Sequence, residues 1–185
     1  VSKQKSINKI GHAQHELDPI YKKVINSLDI PEIGKQLGIQ KPRKLQSMHI
    51  FKQPNIGGEV GLHQDSTFLY TSPKSCIGFW VALEDANIEN GCLQAITGGH
   101  TIPLKKRFKL AKSGGTEFEI LDDSPWPNTA LDLLEVKAGT LIILHGQLPH
   151  YSAENTSNKS RQAFSIHLVD DNCHYAEDNW LQSSI

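Results

Sequence analysis

The sequence has no long apolar run, few cysteines and no excess of charge of either sign. No stretch approaches the roughly 20 apolar residues that a membrane-spanning helix needs, and no secretory signal segment is present. The three cysteines, Cys76, Cys92 and Cys173, are too few for a disulfide framework. A net charge of −1 gives no overall attraction to nucleic acid or to a membrane surface. We therefore expect a cytoplasmic protein with neither kind of partner; the sequence does not indicate the oligomeric state.

Short strand-like segments separated by Gly, Pro and Asn turns make up most of the chain. The clearest is Cys76–Leu83, in which Ile77 and Phe79 occupy one face and Trp80 and Ala82 the other. Helical patterns are scarce and no internal repeat is visible. This pattern predicts a mainly β fold, either a jelly-roll barrel or a sandwich.

Helices are predicted only near the N-terminus, after an irregular segment from Val1 to His15. Asp18 and Pro19 have the residue types of an N-cap and a first helical position. A second short helix is predicted from Pro31 to Leu37, and we expect both to pack on the outside of a sheet. The predicted apolar stripe of the first helix comprises Ile20, Tyr21, Val24, Ile25 and Leu28.

Two separated stretches carry residues that can bind a metal ion. His63 and Asp65 are two residues apart, so in an extended strand they project towards one point. With His150 they provide two imidazoles and one carboxylate, the ligand set of Fe(II) oxygenases. The pair alone is weak evidence, because a polar pair at a turn and a core histidine would give the same residues.

A second pattern places a cation and a hydroxyl near His150. The segment 153–160 has the composition of a loop, and Arg161–Leu168 alternates as a strand does. If the loop closes a hairpin, Ser152 lies opposite Arg161, and directly opposed side chains share a face. His150 would then point to the same side, which favours a pocket for an anion bound to the metal.

A cluster of basic residues lies between Leu104 and Lys112. A solvated basic loop is the expected explanation. The alternative is a basic rim that attracts an anionic substrate to the mouth of the barrel. The cluster comprises Lys105, Lys106, Arg107, Lys109 and Lys112.

Six stretches, spread over nearly all of the chain, resemble the phytanoyl-CoA dioxygenase family. They are Lys5–Gly11, Gln46–Pro54, Gly58–Asp65, Trp80–Asp85, Glu89–Leu93 and Ser160–Ala163. The resemblance implies a double-stranded β-helix (jelly roll) with a few flanking N-terminal helices. It also implies Fe(II), 2-oxoglutarate as co-substrate and O2 as oxidant.

By this resemblance, His63, Asp65 and His150 are the iron ligands. The family's second histidine lies eleven residues before its arginine, which selects His150 over His145. Arg161 and Ser152 match the positions that hold the distal carboxylate of 2-oxoglutarate. The other positions that match the lining of the co-substrate site are Lys5, Met48, Gln64 and Trp80.

The sequence departs from the family pattern away from these residues. The family usually has a segment upstream of Lys5 that is absent here, and this chain has Thr97–His100 where relatives commonly have Pro-Gly-Ser-His. We therefore expect residues 1–185 to form a single Fe(II)/2-oxoglutarate dioxygenase domain that lacks an upstream segment. These departures concern the substrate entrance and leave Arg161 and the three ligand residues unchanged.

The predicted activity is hydroxylation of a C–H bond in a small organic or acyl-type molecule, with release of succinate and CO2. Asp65 favours hydroxylation over halogenation, because related iron halogenases lack this carboxylate. One alternative is a protein that binds iron and 2-oxoglutarate without catalysis. Another is a jelly-roll interaction module that binds neither.

Overall fold

The computed structural model describes residues 6–182, which form short strands and a few short helices. The α-helices are α1 (Gln14–Leu17), α2 (Pro19–Ser27) and α3 (Ile30–Gln36). The strands are β1 (Lys9–His12), β2 (Pro42–Lys52), β3 (Val60–His63), β4 (Ile77–Ala82), β5 (Leu93–Ala95), β6 (Lys106–Leu110), β7 (Thr116–Ile120), β8 (Asp132–Leu134), β9 (Leu141–His145), β10 (His150–Ser152) and β11 (Arg161–Asp170). Two 3₁₀ turns cover Asp65–Thr67 and Gly99–Thr101.

The strands form two main antiparallel sheets, as a double-stranded β-helix requires. The larger sheet has five strands in the order β1-β2-β11-β4-β9, and the smaller has four in the order β3-β10-β5-β8. β6 and β7 form a separate two-stranded hairpin. The predicted fold class, a jelly roll with a few N-terminal helices, is therefore confirmed.

Alternation along β4 divides the core into two layers, as the sequence predicts. Phe79 is buried between the large sheet and the helices, where it packs with Ile25, Ile30 and Ile166. Trp80 lies on the other face of β4 with residues that line the interior. The outer layer thus fixes the large sheet, and the inner face is free to form a cavity.

Helix α2 begins as predicted but buries less of its apolar surface than expected. The Asp18 carboxylate accepts hydrogen bonds from the backbone N–H groups of Ile20 (2.8 Å) and Tyr21 (3.2 Å). Tyr21 stacks on Phe164 of β11, with ring centroids 4.6 Å apart, and Ile25 is buried. The rest of the predicted stripe is wrong, because this short helix touches the sheet along a narrow line. The exposed members are Ile20, Val24 and Leu28.

The N-terminal segment is more regular than predicted. Lys9–His12 forms β1, which pairs with β2 at the edge of the large sheet, and α1 follows it. Backbone hydrogen bonds hold this strand, and most of its side chains are exposed, so it has no apolar alternation to reveal it.

The predicted hairpin between Ser152 and Arg161 is wrong. β10 lies in the small sheet between β3 and β5, whereas β11 lies in the large sheet between β2 and β4. Segment 153–160 therefore crosses from one sheet to the other. Arg161 pairs with Lys52 on β2, and it meets Ser152 across the interior of the barrel.

The basic cluster is mostly a paired surface, so the predicted solvated loop is wrong. Lys106–Leu110 is strand β6, and the Lys105 ammonium lies 2.6 Å from the Asp122 carboxylate. Arg107 binds Asp178 and Asn179. The acidic residues that neutralise the cluster lie on β7 and in distant loops, so the local sequence did not reveal them. Lys106 differs from these residues because it lines the interior cavity.

The structure of residues 6–182 bears on disulfides and on membrane-spanning helices. Cys76, Cys92 and Cys173 are all free thiols there. No helix in this part of the chain is long and apolar enough to cross a membrane.

The two-layer core predicts a large difference between two identical substitutions. Ile166 is 1% exposed in the layer under the helices, whereas Ile143 on β9 is 41% exposed. Ile166→Ala should lower the free energy of unfolding by about 2–5 kcal/mol, because it removes buried methyl groups and leaves a cavity. Ile143→Ala should change it by less than about 1 kcal/mol. Urea denaturation measures both values, and equal losses would contradict this packing.

Candidate metal centre and dicarboxylate site

Three potential metal ligands converge at one end of the small sheet. β10 pairs with β3 so that His150 lies directly beside His63, with ring centroids 4.2 Å apart. Asp65 follows in a 3₁₀ turn, and its Oδ1 lies 3.8 Å from His63 Nε2 and 3.6 Å from His150 Nε2. All three donor atoms lie within 4.8 Å of one another, so one ion could contact all of them.

His63 and Asp65 lie where strand β3 passes into a 3₁₀ turn. His63 is the last residue of β3, and the strand does not continue through Asp65. Gln64 is extended, and Asp65 begins the 3₁₀ turn. Because the backbone is still extended at Gln64, the side chains of His63 and Asp65 project to the same side, as alternation predicts.

Both histidines are held in the tautomer that a metal ligand needs. Nδ1 of His63 lies 2.8 Å from the Gly61 carbonyl oxygen, and Nδ1 of His150 lies 2.9 Å from that of Leu148. A carbonyl oxygen only accepts, so each Nδ1 carries the hydrogen and each Nε2 presents its lone pair inwards. Burial, and then the nearby His150, lowers the pKa of His63 to about 4, which keeps its imidazole neutral at physiological pH.

A third histidine lies beside the carboxylate. His167 Nε2 lies 3.2 Å from Asp65 Oδ2, whereas Oδ1 faces His63 and His150. Burial alone would raise the pKa of Asp65, but the surrounding imidazoles outweigh it and hold the pKa below its usual range. Gly78 makes room for this contact, since a Cβ there would lie 2.9 Å from Oδ2.

The second part of the site, after the three potential metal ligands, is Arg161, which is 2% exposed. Its Nε and Nη2 donate to the Gly91 carbonyl oxygen (3.1 and 2.9 Å), and Nη2 also donates to Ser152 Oγ (2.9 Å). Its guanidinium lies 5.4 Å from the centroid of the Trp80 ring. Nη1 is buried and has no hydrogen-bond partner among residues 6–182. A buried donor of this kind is costly unless it binds something, and an anion is its natural acceptor.

One cavity connects the two parts of the site and continues towards an aromatic wall. Its volume is about 670 Å³, within the usual range for small-molecule sites. Arg161 and Trp80 line one part, and the three potential metal ligands lie in the same space. Phe68, Phe108 and Trp180 line another part; the Phe68–Phe108 and Phe108–Trp180 ring centroids are each 5.7 Å apart.

The other residues proposed for the site fall into three groups. Met48 lines the cavity, as Trp80 and Ser152 do. Gln64 does not: its amide instead donates to the Gln147 carbonyl oxygen (2.9 Å), and its Oε1 accepts from the backbone of Lys105 (3.1 Å). Gln64 is next to the candidate ligands in the sequence, but its side chain connects the loops that contain Gln147 and Lys105. Lys5 lies outside the described residues.

His145, the other candidate histidine, lies away from the metal centre. Its Nδ1 accepts a hydrogen bond from the backbone of Gln147 (3.1 Å), and its ring lies 5.5 Å from that of His100. Both rings line a separate, smaller depression. The geometry therefore groups His150, and not His145, with His63 and Asp65.

Sequence reasoning missed two residues of the site. His167 follows Arg161 by six residues on the same strand, so strand alternation puts both on one face and could have identified it. Lys52 lies opposite Arg161 in the neighbouring strand β2 and is also buried in the cavity lining. No local pattern distinguished it from a surface lysine.

Several solved structures have a fold similar to that of this chain. EctD from S. alaskensis, in its apo form, has a TM-score of 0.75 at 17% identity, over 96% of this chain and 64% of that one. SnoK, an alpha-ketoglutarate-dependent carbocyclase, has a TM-score of 0.73 at 20% identity, over 93% and 66%. EvdO2 from Micromonospora carbonacea var. aurantiaca, solved with 2-oxoglutarate, has a TM-score of 0.61 at 20% identity, over 95% and 73%. At these identities the likeness shows the fold.

Closer relatives are found among curated sequences. A phytanoyl-CoA dioxygenase of Arabidopsis thaliana is 50% identical over 184 residues, which are 97% of this chain and 63% of the relative. Phytanoyl-CoA dioxygenase domain-containing protein 1 of Mus musculus is 44% identical, over 98% and 64%. This chain thus spans less than two thirds of the length of these relatives.

The sequence model of one family covers most of the chain. The phytanoyl-CoA dioxygenase (PhyH) model matches residues 1–163, which include the triad of His63, Asp65 and His150 as well as Arg161. With the curated relatives and the double-stranded β-helix fold, this match establishes that the chain belongs to the phytanoyl-CoA dioxygenase family.

Proposed function

We propose that the protein is an Fe(II)- and 2-oxoglutarate-dependent dioxygenase that hydroxylates a C–H bond of a small organic or acyl-type substrate. One observation carries the proposal: a two-histidine, one-carboxylate cluster shares a cavity with a buried arginine whose Nη1 has no partner among the described residues. The cluster suits a non-haem iron and the arginine suits the far carboxylate of a dicarboxylate. Family membership and the 2-oxoglutarate bound by EvdO2 support the same function.

Each residue of the triad has a defined part in holding the metal. His63 and His150 would coordinate iron through Nε2, because their Nδ1 atoms are committed to backbone carbonyl groups. Asp65 would coordinate through Oδ1, because Oδ2 faces His167. When bound, iron and 2-oxoglutarate would activate O2 to oxidise the substrate, with release of succinate and CO2.

The dicarboxylate would lie between the triad and Arg161. Nη1 of Arg161 is the available donor for the distal carboxylate of the ligand. Ser152 Oγ lies beside the same guanidinium, 2.9 Å from Nη2. Trp80 packs against the guanidinium and Met48 lines the cavity, so both exclude water from this end. Excluding water strengthens the charge-assisted hydrogen bonds.

We place the prime substrate against the aromatic wall. Phe68 lies next to the His63 ring, with centroids 6.0 Å apart, and Phe108 and Trp180 extend the wall from there. These rings favour an apolar segment close to the metal. Lys106 lines the same cavity and is the one member of the basic cluster placed to meet an anionic group of the substrate.

Arg161→Ala is the first test of the dicarboxylate site. We expect the Michaelis constant for 2-oxoglutarate to rise on the order of a hundredfold, since a buried charge-assisted hydrogen bond from Nη1 is lost. Affinity for Fe(II) should change little, because Arg161 does not belong to the triad. The measurements are anaerobic Fe(II) titration with 2-oxoglutarate, followed by a succinate assay in air. Arg43→Ala, at a partly exposed arginine on β2, is the matched control.

The two stages of this assay separate the alternatives. A metal-to-ligand charge-transfer band without succinate, over a panel of substrates, would contradict catalysis and leave a protein that binds iron and 2-oxoglutarate. Absence of the band in the unmodified protein would reject the iron site itself.

His167→Ala tests how Asp65 is oriented. Without His167 the Asp65 carboxylate can rotate, so the affinity for Fe(II) should fall by about 10- to 100-fold, as for other groups that orient metal ligands. Competition with a chromogenic chelator gives the dissociation constant. His100→Ala, at an exposed histidine far from the triad, should leave it unchanged. Equal affinity in both variants would show that Asp65 needs no support from His167.

A further inference from the structure

Lys52 is a buried cation with unusual partners. Its side chain lies at the end of β2 and is 2% exposed. The Nζ atom lies 2.7 Å from the Gly58 carbonyl oxygen and 3.2 Å from that of Ser152, and it also donates to the carbonyl oxygen of Ala153. An ammonium has three N–H donors, so these three acceptors match its charged form; a neutral amine would leave one of them without a donor.

Lys52 lies next to the other buried cation of the cavity. In the register of β2 and β11 it is directly opposite Arg161. Among residues 6–182, neither Lys52 nor Arg161 has a carboxylate within 4.0 Å. Two adjacent buried cations without a counter-ion are costly, and a bound anion would offset that cost.

The lysine also supports the parts that present Arg161. Ser152 accepts two hydrogen bonds from these cations: its carbonyl oxygen accepts from Lys52, and its hydroxyl oxygen accepts from Arg161. Gly91, whose carbonyl oxygen accepts from Arg161, packs against the same lysine; a Cβ at Gly91 would lie 3.0 Å from Lys52 Cδ. The Lys52 carbonyl oxygen accepts from Asn155 Nδ2 (3.0 Å), which anchors the crossing segment.

From these contacts we propose that Lys52 is a positioning residue of the dicarboxylate site. Its ammonium fixes the backbone of Ser152 and Ala153, and its charge joins that of Arg161 in favouring a dianion. It does so without touching the ligand, since its three donors are occupied. This inference rests on the proposed function, because it takes 2-oxoglutarate as the dianion.

The charge of Lys52 gives this role a pH signature. Burial, and then the neighbouring Arg161, lowers the pKa of Lys52 to about 8, while Glu59 and Glu154 act in the opposite direction. A bound dianion raises that pKa. Below pH 8 the ammonium is present with or without ligand, so affinity is steady; above pH 8 binding requires uptake of a proton, and affinity falls.

The test uses the Fe(II)-loaded protein without O2 and 2-oxoglutarate as the ligand. Lys52→Met keeps the length of the side chain and removes its charge, so the dissociation constant should rise on the order of tenfold. Lys44→Met, on the same strand, removes an ammonium that donates to Asn26 Oδ1 (3.1 Å) and should leave the dissociation constant unchanged. Thermal unfolding of both variants checks that they are folded.

Proton uptake separates the effect of charge from a structural one. Calorimetry at pH 8 in two buffers with different ionisation enthalpies should show uptake of about half a proton per ligand in the unmodified protein. Lys52→Met should show none of it. If that variant does not fold, Glu154→Gln serves instead: it removes an exposed acid that raises the pKa of Lys52, so the fall in affinity should begin at lower pH.

The possible results distinguish failure of the role of Lys52 from failure of the proposed function. Unchanged affinity and unchanged proton uptake in Lys52→Met would overturn the role of Lys52 while leaving the proposed function intact. With an unfolded Lys52→Met, an unaltered pH profile in Glu154→Gln would do the same. Failure of the unmodified protein to bind 2-oxoglutarate would instead reject the proposed function, and the inference about Lys52 with it.

Discussion

The site depends on the pairing of β10 with β3 in the small sheet. This pairing places His150 beside His63, although 86 residues separate them in the chain, and it points both Nε2 atoms at Asp65. The same short strand ends in Ser152, which binds Arg161 on the opposite sheet. Slipping β10 by one residue would turn His150 and Ser152 to the other face and separate the metal centre from the guanidinium.

Strand alternation and residue chemistry carried much of the prediction. The alternation of Phe79 and Trp80 on β4 correctly separated the layer under the helices from the interior. The Asp18–Pro19 pair located the start of α2, because the N-cap depends on neighbouring backbone groups alone. The resemblance to a family linked His63 and Asp65 with His150, and the structure brings these three residues together.

Features that depend on how the strands are arranged into sheets could not be read from the sequence. The convergence of Ser152 and Arg161 was expected from a hairpin, whereas the two residues meet across the barrel from different sheets. Lys105 was expected in solvent, but its partner Asp122 lies seventeen residues away. In the sequence Lys52 resembles any lysine on a strand, and only its three carbonyl partners distinguish it. Each case depends on which strands pair and on the course of the loops between them, which periodicity does not reveal.

The most direct measurement is an iron anomalous-difference map from crystals grown without O2 in the presence of Fe(II) and 2-oxoglutarate. The account predicts one strong peak in contact with His63 Nε2, His150 Nε2 and Asp65 Oδ1, with a carboxylate against Arg161 Nη1. A peak at the His100–His145 pair, or a triad without metal at full Fe(II) loading, would contradict it.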